Sequence, residues 1–202
     1  MLVAASSPAP VPWKNGGGVT RELLRLPATG ADWMLRISVA DIDADGPFSP
    51  FDGVSRWFAV LAGRGVRLSW PDRVFEVCRG SAPLRFDGAD APDCALLAGP
   101  TRDLNVMVRR DLADALVTSA TWLDEAEPEP GTSPGFGFFA LTPLTLHGFG
   151  DTPVAMPALS LAWCEPPLRA TRAGWLQPAA DTDTGREHTL PGYWIRLLPP
   201  NR

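Results

Sequence analysis

Residues 13–22 read WKNGGGVTRE, and this order of residue types predicts a turn that leads into a β-strand. Glycine lacks a Cβ and therefore adopts backbone angles and close approaches that other residues resist. Asparagine favours turns because its side chain bonds to nearby backbone. Beyond the glycines, side chains alternate between the two faces of a strand, so Thr20 and Glu22 share one face while Val19 and Arg21 share the other.

Lys14 is the only lysine of the chain, because the other seventeen basic residues are arginines. Codon preference for arginine would explain this imbalance and would leave Lys14 without special meaning. Alternatively, the position needs a compact ammonium group, which a planar guanidinium does not replace. The composition alone leaves both explanations open.

The composition is that of a folded protein with a substantial core. The chain has 202 residues, 45% of them hydrophobic and 20% charged, which suits one large β domain or two small ones. Its net charge of −5 provides no basic surface, so nucleic acid is not expected as a partner. The sequence shows no secretory signal and no apolar run suited to a membrane span, so we expect a cytoplasmic protein without membrane association.

Short alternating segments separated by glycine and proline predict an all-β protein. In residues 33–40, for example, Leu35, Ile37 and Val39 lie on one face and Arg36 and Ser38 on the other. Similar segments recur with turns at intervals of about ten residues, as in sandwiches and barrels. The other expectations are an extended lead-in over residues 1–12, a short helix over 111–123 and a linker over 125–133.

Five motifs occur in order along the chain: Trp13-Lys14-Asn15-Gly16-Gly17-Gly18-x-Thr20-x-Glu22, Trp33-x-x-Arg36-x-Ser38-x-Ala40, Gly46-Pro47-Phe48-Ser49-x-Phe51-x-Gly53-x-x-Arg56, Leu61-x-Gly63-x-Gly65 and Gly99-Pro100-x-x-Asp103-Leu104-Asn105-Val106-Met107. Together they resemble the motifs of the HutD/Ves family, densely over residues 12–110 and more diffusely beyond.

This resemblance implies a bicupin, with two jelly-roll-like barrels of the double-stranded β-helix type in one chain. Residues 1–110 would form the first barrel with the glycine motif, and residues 111–202 the second, with 111–133 as a connecting segment. The two are expected to pack as one compact unit, and the chain to form a homodimer. Family members are associated with bacterial histidine utilisation, which they are thought to regulate by binding an intermediate such as urocanate or a formylated glutamate derivative.

The sequence does not predict a metal site or a cofactor. Many cupins hold a metal through clustered histidines, but this chain has only His147 and His188, and residues 56–86 contain none. Cys78, Cys94 and Cys164 are widely spaced and form no Cys-x-x-Cys pair. We therefore expect a protein that works without metal.

A set of polar residues on several strands, together with one tryptophan, predicts a pocket for a small anionic metabolite inside the first barrel, since alternate residues of barrel strands point to the lumen. An arginine of this set could bind a carboxylate through two hydrogen bonds. If the protein is an enzyme, Lys14 or Glu22 is the candidate acid–base group. The predicted ligand-binding residues are Trp13, Lys14, Asn15, Thr20, Glu22, Arg36, Ser38, Arg56 and Asn105.

Plainer interpretations stay open for several of these residues. Glu22 and Arg36 could form an ordinary cross-strand ion pair. Asn15 could simply shape the turn, and Asn105 could bond to backbone. At the level of function, the sequence favours binding and regulation, with an enzyme acting on such an intermediate or a stress-related interaction protein as alternatives.

Overall fold

The computed structural model describes residues 1–29, 32–122, 135–149, 152–165, 175–179 and 190–200. These residues form eighteen β-strands, numbered β1 to β18 in chain order, and no helix. The predicted all-β class is therefore confirmed. No described helix is long and apolar enough to cross a membrane. The predicted linker over 125–133 and His188 lie outside the described residues.

The chain divides into two compact units, one made of residues 8–114 with 200–202 and the other of residues 1–7 with 115–199. The first unit contains a six-stranded and a four-stranded antiparallel sheet. In spatial order the larger sheet consists of β2 (Val11–Pro12), β3 (Gly18–Leu26), β4 (Leu35–Ile42), β11 (Thr101–Arg109), β6 (Val54–Ala62) and β9 (Leu84–Asp87). The smaller one consists of β5 (Gly46–Pro47), β10 (Asp93–Leu96), β7 (Val66–Ser69) and β8 (Val74–Val77).

The core of the first unit lies between its two sheets. Because side chains alternate along each strand, one face of every strand contributes apolar residues to this interior. The larger sheet, the smaller sheet and the loops all supply buried members. These are Ile42, Phe48, Phe58, Val60, Val66, Leu68, Trp70, Val77, Phe86 and Cys94.

The second unit is also built from two antiparallel sheets around an apolar and aromatic core. Its five-stranded sheet consists, in spatial order, of β1 (Leu2–Ala4), β16 (Ser160–Cys164), β13 (Gly135–Ala140), β18 (Gly192–Leu198) and β12 (Asp114–Ser119). Its three-stranded sheet consists of β15 (Val154–Met156), β14 (Leu144–His147) and β17 (Trp175–Pro178). Phe136, Phe138 and Trp194 pack together in its core.

Two local expectations were wrong. The short helix predicted over 111–123 is absent, and Asp114–Ser119 form strand β12 instead. Val117 and Thr118 are β-branched, which favours strand over helix. The lead-in expected over residues 1–12 contains two strands, because β1 pairs with β16 of the second unit and β2 pairs with β3 of the first.

Candidate functional site

The polar residues of the larger sheet in the first unit line up in register on the face that contains its core. Glu22 pairs with Ser38, Ser38 with Asn105, and Asn105 with Phe58, so these four form one row across β3, β4, β11 and β6. Phe58 belongs to the buried core. We call the polar members of this surface the inner polar face; they are Thr20, Glu22, Arg25, Arg36, Ser38, Arg56, Asp103 and Asn105.

Arg56 is the most deeply placed cation of this face, with only 7% of its surface exposed. Its Nη2 donates a hydrogen bond of 2.8 Å to Oδ1 of Asn105, and its Nε has no partner among the described residues. The guanidinium carbon lies 4.8 Å from the ring centre of Phe48 and 5.2 Å from that of Phe86. Burial, and then the charge of Arg36, lower the pKa of Arg56 to about 10.

No carboxylate pairs with Arg56 among the residues that the structure describes. Aromatic faces attract a guanidinium but do not neutralise it. A buried charge without a counter-charge is unfavourable, and proteins usually supply a partner. A small anion that enters the barrel would supply it.

Arg36 occupies the next row together with Arg56, because both pair with Met107 from opposite sides. Its Nε donates a hydrogen bond of 2.6 Å to Oε2 of Glu22, while Nε of Arg25 donates one of 3.1 Å to Oε1. Both oxygens of Glu22 thus accept from guanidinium groups. These three side chains are partly exposed, so the face runs from a solvent-accessible end to the buried Arg56.

Arg25 also lies on the inner polar face, although strict alternation along β3 would place it on the opposite face. The register shifts between Glu22 and Leu24, so that Arg25 pairs with Arg36 instead of lying on the opposite face. Such a β-bulge inserts one residue and reverses the faces beyond it. Nothing in the sequence around Glu22 marks the position of this bulge.

The glycine-rich turn places its residues in different environments. Trp13 packs against the core, and its Nε1 donates a hydrogen bond of 2.7 Å to Oγ1 of Thr20. Asn15 is exposed, and its Oδ1 accepts a hydrogen bond of 3.1 Å from the backbone N–H of Gly17, so it shapes the turn. Lys14 is exposed in the same turn. The structure therefore brings seven of the nine predicted residues to the barrel interior and leaves Lys14 and Asn15 at the surface.

Asp103 is a further titratable group on the inner polar face, and the sequence reasoning did not select it. It is fully buried, its Oδ2 accepts a hydrogen bond of 2.8 Å from Oγ1 of Thr101, and its Oδ1 has no partner among the described residues. Burial raises the pKa of Asp103 to about 7, the charge of Asp41 adds to this, and the Thr101 hydroxyl opposes it. Alternation from Asn105 would have found Asp103.

The stability of the protein is expected to fall with rising pH because of Asp103. Its pKa is raised from 3.8 to about 7, so the folded protein retains a proton that the unfolded chain has lost. This contribution is fully present below about pH 4 and is lost as pH rises through about 7, with a slope of up to about 1.4 kcal/mol per pH unit. Urea unfolding of the wild type and of Asp103→Asn at several pH values measures it.

In Asp103→Asn this part of the pH dependence should disappear, because the amide does not titrate. Asp72→Asn is the matched control, since the Asp72 side chain is 72% exposed. Parallel stability curves for the wild type and Asp103→Asn would contradict the assignment.

The other candidate reactive groups within the described ranges do not assemble into a site. His147 stacks on Trp175 with ring centres 3.6 Å apart, and its Nε2 lies 3.1 Å from Oε1 of Gln177, which indicates a structural role. The described residues contain no group of three or more His, Cys, Asp or Glu side chains arranged to hold a metal ion. Burial, with the charges of Asp103 and Asp45, raises the pKa of the Cys94 thiol to about 12.

The HutD family model matches residues 5–172. The chain belongs to the HutD family. It is 38% identical over 109 residues to a Pseudomonas putida protein described as an uncharacterized 21.2 kDa protein in the hutC 3′ region, an alignment covering 52% of this chain and 56% of that one. It is 36% identical over 109 residues to protein Ves of Citrobacter koseri, covering 54% and 57%. The matched region spans just over half the length of these curated relatives.

The fold is that of a solved HutD protein. HutD from Pseudomonas fluorescens SBW25, in a structure described as a formate condition, superimposes with a TM-score of 0.76. The match is 22% identical and covers 100% of this chain and 99% of the other. The predicted bicupin fold and the predicted HutD/Ves membership are thereby confirmed.

Proposed function

We propose that the first barrel binds a small carboxylate metabolite on the inner polar face, with Arg56 as the anchoring residue. The observation that carries this proposal is the Arg56 guanidinium, which is 7% exposed, lies among aromatic rings and has no carboxylate partner in the described structure. A guanidinium presents paired N–H donors that match the two oxygens of a carboxylate. Burial strengthens such a contact because water competes poorly for it.

The charge balance of the face agrees with an anionic ligand. Arg25, Arg36 and Arg56 contribute three positive charges, whereas Glu22 contributes one negative charge, already shared by two of the arginines, and Asp103 adds one only when it is ionised. Asn105 and Ser38, both buried, offer polar groups for a second end of the ligand. Urocanate and N-formylglutamate both combine a carboxylate with another polar group.

Membership of the HutD family supports a role in the control of histidine utilisation. One relative is named by its position in a hutC 3′ region. In this role the protein senses an intermediate of the pathway and does not convert it. The pairing of Glu22 with two guanidinium groups favours binding over catalysis, because both of its carboxylate oxygens are already engaged by protein side chains.

Isothermal titration with urocanate and with N-formyl-L-glutamate tests the proposal. Arg36→Ala is expected to weaken binding by about tenfold or more, because Arg36 shares its row with Arg56. Lys14→Ala, at an exposed turn position, is expected to change the Kd by less than about threefold. If the wild type gives no heat with either compound, the proposed ligand class is wrong. If Lys14→Ala weakens binding as much as Arg36→Ala, the anion binds at the turn instead.

A further inference from the structure

Asp103 lies inside the barrel without the partners that an ionised carboxylate requires. It is fully buried, receives a single hydrogen bond from Thr101 and forms no ion pair within the described part of the chain. A carboxylate with one free oxygen in such a place is unfavourable, whereas a neutral carboxylic acid is tolerated. The side chain is therefore poised between its two protonation states.

Asp103 is also close to the place where the ligand would bind. It precedes Asn105 by two residues on β11, so both side chains point into the barrel, and Oδ1 of Asn105 lies 2.8 Å from Nη2 of Arg56. Alternate residues of a strand are about 7 Å apart. An anion on Arg56 would thus lie roughly 10 Å from the Asp103 carboxyl, a distance similar to the Debye length at about 0.1 M salt.

The neighbouring elements bring little that would compensate a charge on Asp103. In register, β4 places Ala40 beside it and β6 places Val60. The negative charge of Asp41 disfavours ionisation of Asp103. Asp41 is itself paired with Arg21 and Arg102. On β10, the thiol of Cys94 is close enough to feel the charge of Asp103, but it is uncharged and does not compensate that charge. The Asp45 carboxylate also acts on this thiol and is itself negative. Arg56, further along the face, is the cation that the ligand would neutralise.

We propose that Asp103 takes up a proton when the barrel binds its carboxylate ligand, so that affinity falls as pH rises through neutrality. This inference rests on the proposed function. At higher pH the ligand brings a second negative charge near an ionised Asp103, and the complex accommodates both only after Asp103 gains a proton from solvent and becomes a neutral acid. At lower pH the proton is already present, so the ligand meets no negative charge from Asp103. The barrel would then respond to pH as well as to metabolite concentration.

Titration calorimetry with N-formyl-L-glutamate between about pH 6 and about pH 8.5 tests the proposal. Both carboxyl groups of this probe stay ionised in that range, because ordinary carboxyl pKa values lie near about 4. For the wild type we expect the Kd to rise by about tenfold across the range. Buffers of different ionisation enthalpy should show uptake of about half a proton for each ligand bound, with a maximum slightly above pH 7, because a tenfold change in Kd corresponds to a pKa shift of about one unit on binding.

Three variants separate Asp103 from other sources of pH dependence. In Asp103→Asn the affinity should no longer depend on pH. In Thr101→Val the pH at which the affinity changes should move to a higher value, because the hydroxyl that stabilises the ionised form of Asp103 is lost. Asp72→Asn should behave as the wild type. Thr101→Val also provides a test if Asp103→Asn fails to fold.

Two results would overturn the proton uptake while leaving the carboxylate site intact. One is binding by the wild type with a Kd that does not change with pH. The other is an unchanged pH dependence in Asp103→Asn. Absence of binding at every pH would instead overturn the proposed function, and the inference with it.

Discussion

Arg56→Met is expected to abolish carboxylate binding and to stabilise the protein without ligand. Truncating a buried, hydrogen-bonded charge that holds a ligand weakens binding by about 100-fold or more. Without ligand, the same guanidinium is buried and has no counter-charge among the described residues, and its lowered pKa reflects that penalty. Methionine retains contact with Phe48 and Phe86 and carries no charge, so the free energy of unfolding should rise by about 1 kcal/mol.

Urea unfolding and titration calorimetry on the same preparations measure both effects. Arg67→Met is the matched control, because Arg67 is half-exposed and pairs with Glu76 at the surface; neither property should change by much there. Arg56→Lys keeps the charge but not the fork of donors, so it should bind with intermediate affinity. Destabilisation by Arg56→Met together with unchanged affinity would show that Arg56 is a structural residue.

Gly18→Ala is expected to be the most destabilising change in the glycine-rich turn, by about 3 kcal/mol or more. A Cβ at Gly18 would overlap the backbone carbonyl oxygen of Asp41, and the Cα of Ile42 would also be too close. These are backbone atoms of the adjacent strand β4, which cannot move without breaking the pairing of Gly18 with Ile42. Loss of this pairing would also disturb Thr20 and Glu22 on the inner polar face.

The two preceding glycines serve as matched controls for Gly18. A Cβ at Gly17 would lie 3.5 Å from Oδ1 of Asn15, an ordinary contact, so Gly17→Ala should change stability by less than about 0.5 kcal/mol. Gly16 has open space around it but a φ of +73°, so Gly16→Ala should cost about 1 kcal/mol. Chemical unfolding of the three variants measures the series. Equal effects at all three positions would contradict this account.

Much of the candidate site follows from alternation along strands. Thr20, Glu22, Arg36, Ser38 and Arg56 share the inner face as predicted, because the period of two holds wherever the pairing is regular. It fails for Arg25, which a bulge turns toward Arg36. The predicted ion pair between Glu22 and Arg36 is present, but the sequence did not indicate that Arg25 shares the same carboxylate.

Some interpretations changed because burial and pairing are properties of the folded chain. Lys14 was notable for being the only lysine, yet it is exposed in the turn. Phe48 and Phe86 pack in the core, and their rings also contact the guanidinium of Arg56. Asp103 is part of one of the five motifs, but its candidate role in proton uptake follows from its complete burial and from an oxygen without a described partner.

The all-β class could be predicted from the amino-acid sequence, and so could the HutD family and the face on which most of the polar residues lie. These are local or cumulative properties, read from alternation and from motifs along the chain. The folded structure was needed to find that Arg56 has no counter-charge among the described residues and that one oxygen of Asp103 has no described partner. It also assigned a different requirement to each of the three glycines within residues 13–22. The reason is that each of these properties depends on atoms brought close by strand pairing from distant parts of the sequence.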